Sequence, residues 1–256
     1  CHFGANGLKG ALLLEIGALC GKLVTSFHGD DITEYPRQFG TRVYEPLFAR
    51  GDLFLPISKR WNRELTALGC NPRKIVPHAM GIDLKAFSFA QRSVADQVRI
   101  VSIARLTEVK GIDYGIRAAA QLARAGRRIT YEIAGDGHLR SALERLIDEL
   151  KARDYIHLLG WRNLHAVRDL LQRADIFLAP SVTVKRACAK GGATFIRDAL
   201  VGRRRRAILA HDVHEGVPVS IMEAMATGLP IVSTEHSAIP ELVQDGTTGF
   251  LAPEKD

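Results

Sequence analysis

Two carboxylates, Glu215 and Glu223, lie eight positions apart in the segment EGVPVSIMEAM. Gly216 allows the backbone to approach a ligand closely, and Pro218 suits the start of a helix, whose first N–H groups have no partner inside the helix. Carboxylates beside such a helix start can accept hydrogen bonds from the hydroxyl groups of a sugar. The spacing from Ser220 to Glu223 also fits a capping box, in which Glu223 would bind only a backbone amide of its own helix.

Arg105 and Lys110 lie in the loop RLTEVKG, between a predicted strand and a predicted helix. Two cations at the carboxyl end of a strand, next to the N–H groups of a helix start, would suit a diphosphate. The alternative is a solvated loop, because basic residues are common on protein surfaces. Both interpretations of this loop are open at the level of the residues alone.

A second glycine-containing loop, Gly135-Asp136-Gly137, follows the next predicted strand. Glycines at these positions would let the backbone pass close to a bound nucleotide, but they also fit an ordinary tight turn. The dinucleotide fingerprint is excluded, because its third glycine is absent.

His28 follows a short apolar strand in the sequence FHGDD. A histidine at the carboxyl end of a strand can transfer a proton or form a hydrogen bond with a substrate, whereas an isolated histidine is more often structural. Asp31 has two candidate roles, which are to orient the ring of His28 or to cap the start of a helix.

The elements that must position these residues alternate clearly after residue 97. Continuous apolar strands that alternate with amphipathic helices predict an α/β fold with a doubly wound parallel sheet covered on both faces. Such sheets bind ligands at the carboxyl ends of their strands. Strands are predicted at Val98–Ala104, Ile129–Ala134, Ile156–Leu159, Ile176–Ala179, Pro230–Ser233 and Gly249–Leu251, and helices at Ile112–Ala125, Leu139–Ala152, Leu164–Gln172 and Ser220–Thr227.

The first part of the chain shows a similar alternation. Helices are predicted at Lys9–Cys20, Val43–Arg50 and Lys59–Leu68, and strands at Leu23–Phe27, Leu53–Ile57 and near Ile75. Pro72, Pro77 and Gly81 then interrupt the pattern, which predicts a linker at about residues 77–96.

Most of the net charge lies in one segment. The chain has 256 residues and a net charge of +7, and residues 182–214 contain eight basic and two acidic residues, which is +6 of that total. The remaining residues carry only +1, so the composition gives little support to a nucleic-acid partner. The segment has no clean helical or strand period, so it is either an inserted functional loop or an irregularity.

The four cysteines, at positions 1, 20, 70 and 188, form no C-x-x-C pair and predict no zinc site. Unpaired cysteines of this kind are typical of a reducing compartment. The most apolar stretch, Ala11 to Val24, contains Glu15 and Lys22 and is too short to span a bilayer. These features predict a cytoplasmic location.

Together these motifs resemble those of the retaining glycosyltransferases of family 4, and within them the bacterial exopolysaccharide enzymes of the colanic-acid type. The most specific motif is the E-x7-E of Glu215 and Glu223. Beside it are the Arg-x4-Lys-Gly that begins at Arg105, the HGxD that begins at His28, and the PELVxDGxxGxL of residues 240–251.

The resemblance implies a GT-B type fold with two Rossmann-like, doubly wound domains. Residues 1–85 would be the remainder of an N-terminal acceptor-binding domain, and residues 86–256 a C-terminal domain that binds a nucleotide sugar, usually a UDP-sugar. It also implies transfer of a hexose to a saccharide or lipid-linked acceptor in exopolysaccharide or cell-surface glycan synthesis. The family is thought to retain the anomeric configuration by front-face attack, assisted by the departing phosphate and without a dedicated nucleophile.

The same resemblance implies a role for each motif residue, with no metal and no cofactor. Catalysis would depend on His28, Arg105, Lys110 and Glu215. Arg105 and Lys110 would hold the diphosphate, Glu215 the donor sugar and Glu223 the ribose, while His28 and Asp31 would face the acceptor. Further donor contacts would come from Gly135, Gly137, Gly216, Val217, Pro218, Val219 and Ser220.

The sequence departs from the family pattern in two ways. Members of the family begin upstream of Cys1 and end with a further helix, so the chain resembles a fragment with an incomplete N-terminal domain. Residues 182–214 replace what is usually a short loop. The alternative function is therefore a non-catalytic nucleotide-sugar-binding remnant. The family also implies peripheral contact with the cytoplasmic face of the inner membrane.

Overall fold

The computed structural model describes residues 1–92, 96–187, 210–213 and 215–256. These residues form two compact units, one of Cys1–Ala79 with Thr183–Gly216 and the other of Met80–Val182 with Val217–Asp256. The sequence predicts that residues 182–214 belong to the second domain, whereas the described residues 183–187 and 210–213 group with the first unit. Most of that basic segment, including its run of four arginines at residues 203–206, lies outside the described residues.

Among the described residues, the first unit contains a small parallel sheet with four helices. Strand β1 (Val24–Phe27) pairs in parallel with β2 (Leu53–Pro56). Single bridges from His2 to Ser26 and from Phe54 to Ile75 extend the pairing on either side, so the strand predicted near Ile75 is one bridge only. The helices are α1 (Gly4–Glu15), α2 (Asp30–Phe39), α3 (Glu45–Arg50) and α4 (Lys59–Ala67).

Helix α1 begins five residues before the predicted helix Lys9–Cys20, because its buried face is formed largely by glycines. Gly4, Gly7 and Gly10 are buried. A Cβ atom added to Gly7 would lie 2.7 Å from the hydroxyl oxygen of Thr25, on β1. The absence of side chains therefore allows α1 to lie directly on the sheet, and an apolar period based on larger residues does not detect such a face.

Helix α2 was not predicted, because it contains Pro36. Proline has no N–H to donate and normally ends a helix. In this unit Ile32, Thr33 and Pro36 are buried together on one side of α2, and the ring of Tyr35 stacks on that of Tyr44 at a centroid distance of 5.6 Å. Burial of this face therefore stabilises a helix that the local sequence disfavours.

The second unit is built around a six-stranded sheet in which every pair of neighbouring strands is parallel. Its strands are β3 (Val98–Ile103), β4 (Ile129–Ala134), β5 (Ile156–Gly160), β6 (Ile176–Ala179), β9 (Ile231–Thr234) and β10 (Gly249–Ala252). Their order across the sheet is β10-β9-β6-β3-β4-β5. The helices are α5 (Ile112–Arg124), α6 (Arg140–Glu149), α7 (Leu164–Arg173) and α8 (Val219–Ala226).

Both faces of this sheet are covered, as the alternation of apolar strands and amphipathic helices predicts. On one face, Ile116 of α5 and Leu146 of α6 pack with Tyr131 of β4. On the other, Leu171 of α7 and Ile221 of α8 join a cluster around strands β6 and β9. The doubly wound parallel sheet expected from the sequence is therefore confirmed.

A short antiparallel pair, β7 (Val184–Ala187) with β8 (Ala210–Val213), belongs to the first unit.

Among the described residues, none of the helices combines the length and the apolar character that crossing a membrane requires.

From Met80 onward, the described part of the predicted linker belongs to the second unit. Phe87 is buried in the core beside α7 and α8. The guanidinium of Arg92 donates hydrogen bonds to the carbonyl oxygens of Leu171 (3.0 Å) and Ala174 (2.8 Å) at the end of α7, and of Thr227 (2.6 Å) at the end of α8. A cation at the carboxyl ends of two helices satisfies carbonyls that have no partner inside the helix.

Arg92→Ala is expected to lower the free energy of unfolding by roughly 2–3 kcal/mol, because it removes charge-assisted hydrogen bonds from partly buried carbonyls. Urea unfolding of the variant measures the loss. Arg117→Ala, at an exposed position on α5, is the matched control and should change stability by less than about 0.5 kcal/mol. Equal stability of the two variants would contradict this role of Arg92.

Candidate functional site

The strand order of the second unit reverses between β3 and β6. From β3 the chain adds β4 and β5 on one side, and it then returns to place β6, β9 and β10 on the other. Ligands of doubly wound sheets bind at the carboxyl edge where such a reversal occurs. The loops that border this point are Arg105–Gly111 after β3 and Pro180–Val182 after β6.

The two loops at the reversal are in direct contact. The N–H of Val182 donates to the carbonyl of Val109 at 2.9 Å. Gly111 has φ of 57°, and a Cβ atom added there would overlap the carbonyl oxygen of Pro180. A glycine at this position therefore lets the β3 loop lie against the β6 loop immediately before α5 begins.

The loop after β4 packs against the other side of the β3 loop. The N–H of Leu106 donates to the carbonyl of Asp136 at 2.9 Å. A Cβ atom on Gly135 would overlap the carbonyl oxygen of Ala104, and one on Gly137 would overlap that of Leu106. Both glycines are thus required for contact between protein backbones, and their predicted contact with a nucleotide stays a prediction.

Arg105 is held at this edge by the packing of its neighbours. Leu106 is fully buried among core residues of α5 and α6, so the side chain of Arg105 is exposed. Its guanidinium makes no hydrogen bond or ion pair with any other residue that the structure describes. Lys110 is half-buried and ends the turn Glu108–Lys110 that leads into α5. The predicted pair of cations is therefore brought to one loop at the reversal point.

Helix α8 leads into β9 and packs against β6 and β9, so its N-terminus lies at the same carboxyl edge. Pro218 is the N-cap, and no side chain caps the helix. The N–H groups of Val219 and Ser220 have no acceptor among the described residues. These two amides are therefore available to an anion or to a hydroxyl group.

The capping-box interpretation of Glu223 is wrong, because Ser220 lies inside α8 and makes no cap. The carboxylate of Glu223 is half-buried and forms neither a hydrogen bond nor an ion pair within the described part of the chain. Burial raises the pKa of Glu223 above the usual range of a glutamate. A desolvated carboxylate without a partner suits a ligand that brings hydrogen-bond donors.

Glu215 and Gly216 precede α8 and belong by contact to the first unit. Glu215 is half-buried. A Cβ atom on Gly216 would overlap the carbonyl oxygen of His28, so this glycine also permits a close approach between two backbones.

In the first unit, Asp31 holds the turn before α2 and does not hydrogen-bond the ring of His28. Its carboxylate accepts from the N–H groups of Gly4, His28 and Gly29, each at 2.9 Å. Burial raises the pKa of Asp31, and the three N–H donors oppose that rise. Asp31 therefore holds the backbone before α2 and fills neither candidate role, since the N-cap of α2 is Gly29 and no side chain caps the helix.

The ring of His28 has a partner that the sequence interpretation missed. Nε2 of His28 lies 3.0 Å from Nδ1 of His2, and the ring of Phe3 lies 4.6 Å from that of His28. The pKa of His28 is lowered, chiefly by burial and further by His2, while Asp31 opposes the shift. No local pattern indicated this contact, because the two histidines are 26 positions apart.

Trp161 was also missed by the sequence interpretation. It follows β5 at the carboxyl edge and is 72% exposed. The carbonyl of Gly160, which precedes it, accepts the N–H of Gly135 at 2.9 Å, so the loops after β4 and β5 are joined. Its position two residues after the predicted strand Ile156–Leu159 was the available signal.

The motif PELVxDGxxGxL shapes the connection between β9 and β10. The carboxylate of Asp245 accepts the N–H of Leu251 at 2.9 Å, and Gly246 takes a positive φ of 72° in the turn.

Within the described residues, no group of three or more His, Cys, Asp or Glu side chains is arranged to hold a metal ion.

Residues 85–256 match the family model of the glycosyl transferases group 1. The chain belongs to this family. It is 39% identical, over its whole length, to the putative colanic acid biosynthesis glycosyltransferase WcaL of Salmonella typhimurium. It is 38% identical to the amylovoran biosynthesis glycosyltransferase AmsK of Erwinia amylovora. In both comparisons the whole chain matches 57% of the relative, so this group 1 glycosyl transferase chain spans little more than half of their length.

Solved structures show the same fold for this group 1 chain. Anabaena Alr3699/HepE in complex with UDP gives a TM-score of 0.76 at 20% identity, over 99% of this chain and 64% of that one. Sucrose-phosphate synthase from Thermosynechococcus elongatus gives 0.75 at 17% identity, over 100% of this chain and 60% of that one. The α/β fold of GT-B type that the sequence predicts is confirmed.

Gly135→Ala is expected to destabilise the group 1 chain by roughly 2–5 kcal/mol, because it adds a steric overlap to a strained φ of 143°. Gly126→Ala is the matched control. Gly126 has φ of 80° with no other atom near its would-be Cβ, so that variant reports the backbone strain alone, about 1–2 kcal/mol. Urea unfolding of both variants separates the cost of the steric overlap from the cost of the backbone strain. Equal losses of stability in the two variants would show that the β3 and β4 loops do not need their close contact.

Glu223→Gln is expected to raise the free energy of unfolding at pH 7. Because burial raises the pKa of Glu223 in the folded chain, its ionised form is destabilising. This destabilisation is fully present at pH values above the pKa of Glu223 in the folded chain. It disappears at pH values below the pKa of an unfolded glutamate, which is about 4.3. The gain of the variant should therefore shrink as the pH falls toward 4. Glu149→Gln, on the exposed face of α6, is the control. Loss of stability at pH 7 would contradict the assignment.

Proposed function

We propose that the chain is part of a retaining glycosyltransferase of family 4. It would move a hexose from a nucleotide sugar, with UDP as the nucleotide, to a saccharide or lipid-linked acceptor in exopolysaccharide or cell-surface glycan synthesis. The observation that carries the proposal is that the Arg105–Gly111 loop and the uncapped start of α8 lie at the same carboxyl edge of the sheet. Relatives named for colanic acid and amylovoran biosynthesis support the pathway class.

The diphosphate of the donor is the ligand that best fits this edge. Arg105 supplies an exposed guanidinium, which can bind phosphate oxygens in a bidentate way. The free N–H groups of Val219 and Ser220 add donors and the positive end of a helix dipole. The neighbouring structures of Alr3699/HepE, solved with UDP and with UDP-glucose, support a nucleotide sugar as the ligand.

The chemical step follows from where charge develops. When the glycosidic bond breaks, the nucleotide diphosphate gains negative charge and the sugar gains positive charge. Arg105, Lys110 and the amides of α8 stabilise the leaving diphosphate, because fixed positive groups need no reorganisation during the reaction. The proposal includes no metal and no cofactor, and the departing phosphate assists deprotonation of the acceptor hydroxyl.

The two carboxylates of E-x7-E select the hydroxyl groups of the donor. In this proposal Glu215 binds the hexose and Glu223 binds the ribose. The carboxylate of Glu223 is half-buried and has no hydrogen-bond donor among the described residues. The hydroxyl groups of a ribose would supply such donors, which supports the proposed role of Glu223. Gly135, Gly137 and the backbone from Gly216 to Ser220 complete the donor side.

The acceptor side is assigned to the first unit. His28 would contact the acceptor or the transferred sugar through its ring, and Asp31 would hold the turn that carries it. We further propose that the protein acts in the cytoplasm, with peripheral contact to the inner face of the membrane, because its acceptor is expected to be lipid-linked.

Titration calorimetry with UDP, GDP and several UDP-hexoses tests the donor assignment. Arg105→Ala and Lys110→Ala should each weaken UDP binding by roughly 10- to 100-fold, the usual effect of losing a charge-assisted contact. Arg117→Ala, exposed on α5, should leave it unchanged. If the Arg105 and Lys110 variants bind like the unmodified protein, the diphosphate site is elsewhere.

A transfer assay with the same UDP-hexoses separates an enzyme from a binding protein. Transfer or donor hydrolysis that is lost in Glu215→Ala, while UDP binding remains, would support the enzyme. UDP binding without any turnover would instead support the non-catalytic nucleotide-sugar-binding remnant.

A further inference from the structure

The first residues of the chain are held against the turn that carries His28. The N–H of Phe3 donates to the carbonyl of Ser26 at 2.8 Å, and the N–H of Gly4 donates to Asp31 at 2.9 Å. Between these two bonds Phe3 has a positive φ of 68°. This conformation is unfavourable for a residue other than glycine and persists only where surrounding contacts impose it.

His2 and His28 share one hydrogen bond between their rings. Nδ1 of His2 lies 3.0 Å from Nε2 of His28, with the ring centroids 5.2 Å apart. Such a bond needs one protonated and one unprotonated nitrogen, so the tautomer of one ring is tied to that of the other. Nδ1 of His28 has no hydrogen-bond partner within the described part of the chain.

The hydrogen bond made by the ring nitrogen of His2 adds little to the stability of the folded chain. His2 is exposed, and a hydrogen bond in contact with water adds little to stability. The ring of His28 is already packed against Phe3, and its backbone N–H is held by Asp31. What His2 adds is a polar atom that determines which nitrogen of His28 remains available.

We propose that His2 is a positioning residue, which occupies Nε2 of His28 and so leaves Nδ1 as the hydrogen-bonding atom for the acceptor hydroxyl. The proposal rests on the function proposed above for His28. Among the described residues, the rings of His2 and Phe3 lie against the ring of His28, and the charge of Asp31 acts on its pKa. Of these, His2 is the one whose side-chain nitrogen reaches the ring of His28.

Nitrogen-15 NMR of the histidine rings in the full chain tests the contact without any activity assay. In His2→Phe, which keeps a ring but removes its nitrogens, the His28 ring should lose its single tautomer. Its titration midpoint should move upward, because His2 is one of the groups that lower the pKa of His28. His2→Gln, which keeps a hydrogen-bonding side chain, should partly restore the tautomer. His165→Phe, on exposed α7 surface, is the control.

Kinetics on the same variants test the consequence for transfer. His2→Phe should lower kcat by about fivefold to tenfold, as expected for one lost hydrogen bond, and shift the acidic limb of the pH profile with the His28 midpoint. KM for the nucleotide sugar should not change. His2→Gln should recover part of kcat.

Two results would overturn the proposal. Unchanged His28 ring signals in His2→Phe would show that the two rings are not coupled, whatever the activity of the protein. Changed signals with unchanged kcat and pH profile would show that the coupling does not serve transfer. If the unmodified protein has no transfer activity but the ring signals change as expected, the proposed function fails and the contact between the histidines remains established.

Discussion

Contact between backbones at the carboxyl edge of the second sheet is the constraint on which the candidate site depends. The loop after β3 lies between the loops after β4 and β6, and three glycines remove the Cβ atoms that would keep these loops apart. Because Leu106 is buried in the middle of this packing, its neighbour Arg105 is directed outward. The position of the cation is thus determined by residues that carry no functional group at all.

The sequence predicted this part of the molecule well because its signals are local. Each strand of the six-stranded sheet was predicted from a short stretch of sequence, and each candidate loop follows one, so chain order indicates the place of Arg105 and Lys110. The order of the strands across the sheet was not predicted. The capping box at Ser220 and Glu223 failed for an equally local reason. Pro218 already serves as the N-cap, and this places Ser220 inside the first turn of α8.

The features that escaped prediction depend on contacts between distant parts of the chain. Helix α2 contains a proline and forms because its buried face packs within the first unit. The glycines of α1 show their purpose only when β1 lies beneath them. Likewise, the role of Asp31 depends on the N–H of Gly4, 27 positions away, and no spacing rule links His2 to His28. Local patterns therefore identified the candidate residues but not the partners that position them.

The starts of α2 and α8 differ in the charge of the group that each can bind. At α2, Asp30 and Asp31 lie in the first turn, and Asp31 already takes the N–H groups of His28 and Gly29. An anion there would meet two carboxylates and few free donors, so the imidazole of His28 is suited to a neutral hydroxyl. At α8 the first turn has no acidic residue and no side-chain cap, and its first amides are open to an anion. Since an approaching anion is stabilised by free amides and repelled by carboxylates, an anion such as the proposed diphosphate is favoured at the start of α8 over the start of α2. This difference follows from the acidic residues in the first turn of α2 and their absence from that of α8, and it agrees with the roles proposed for the two units.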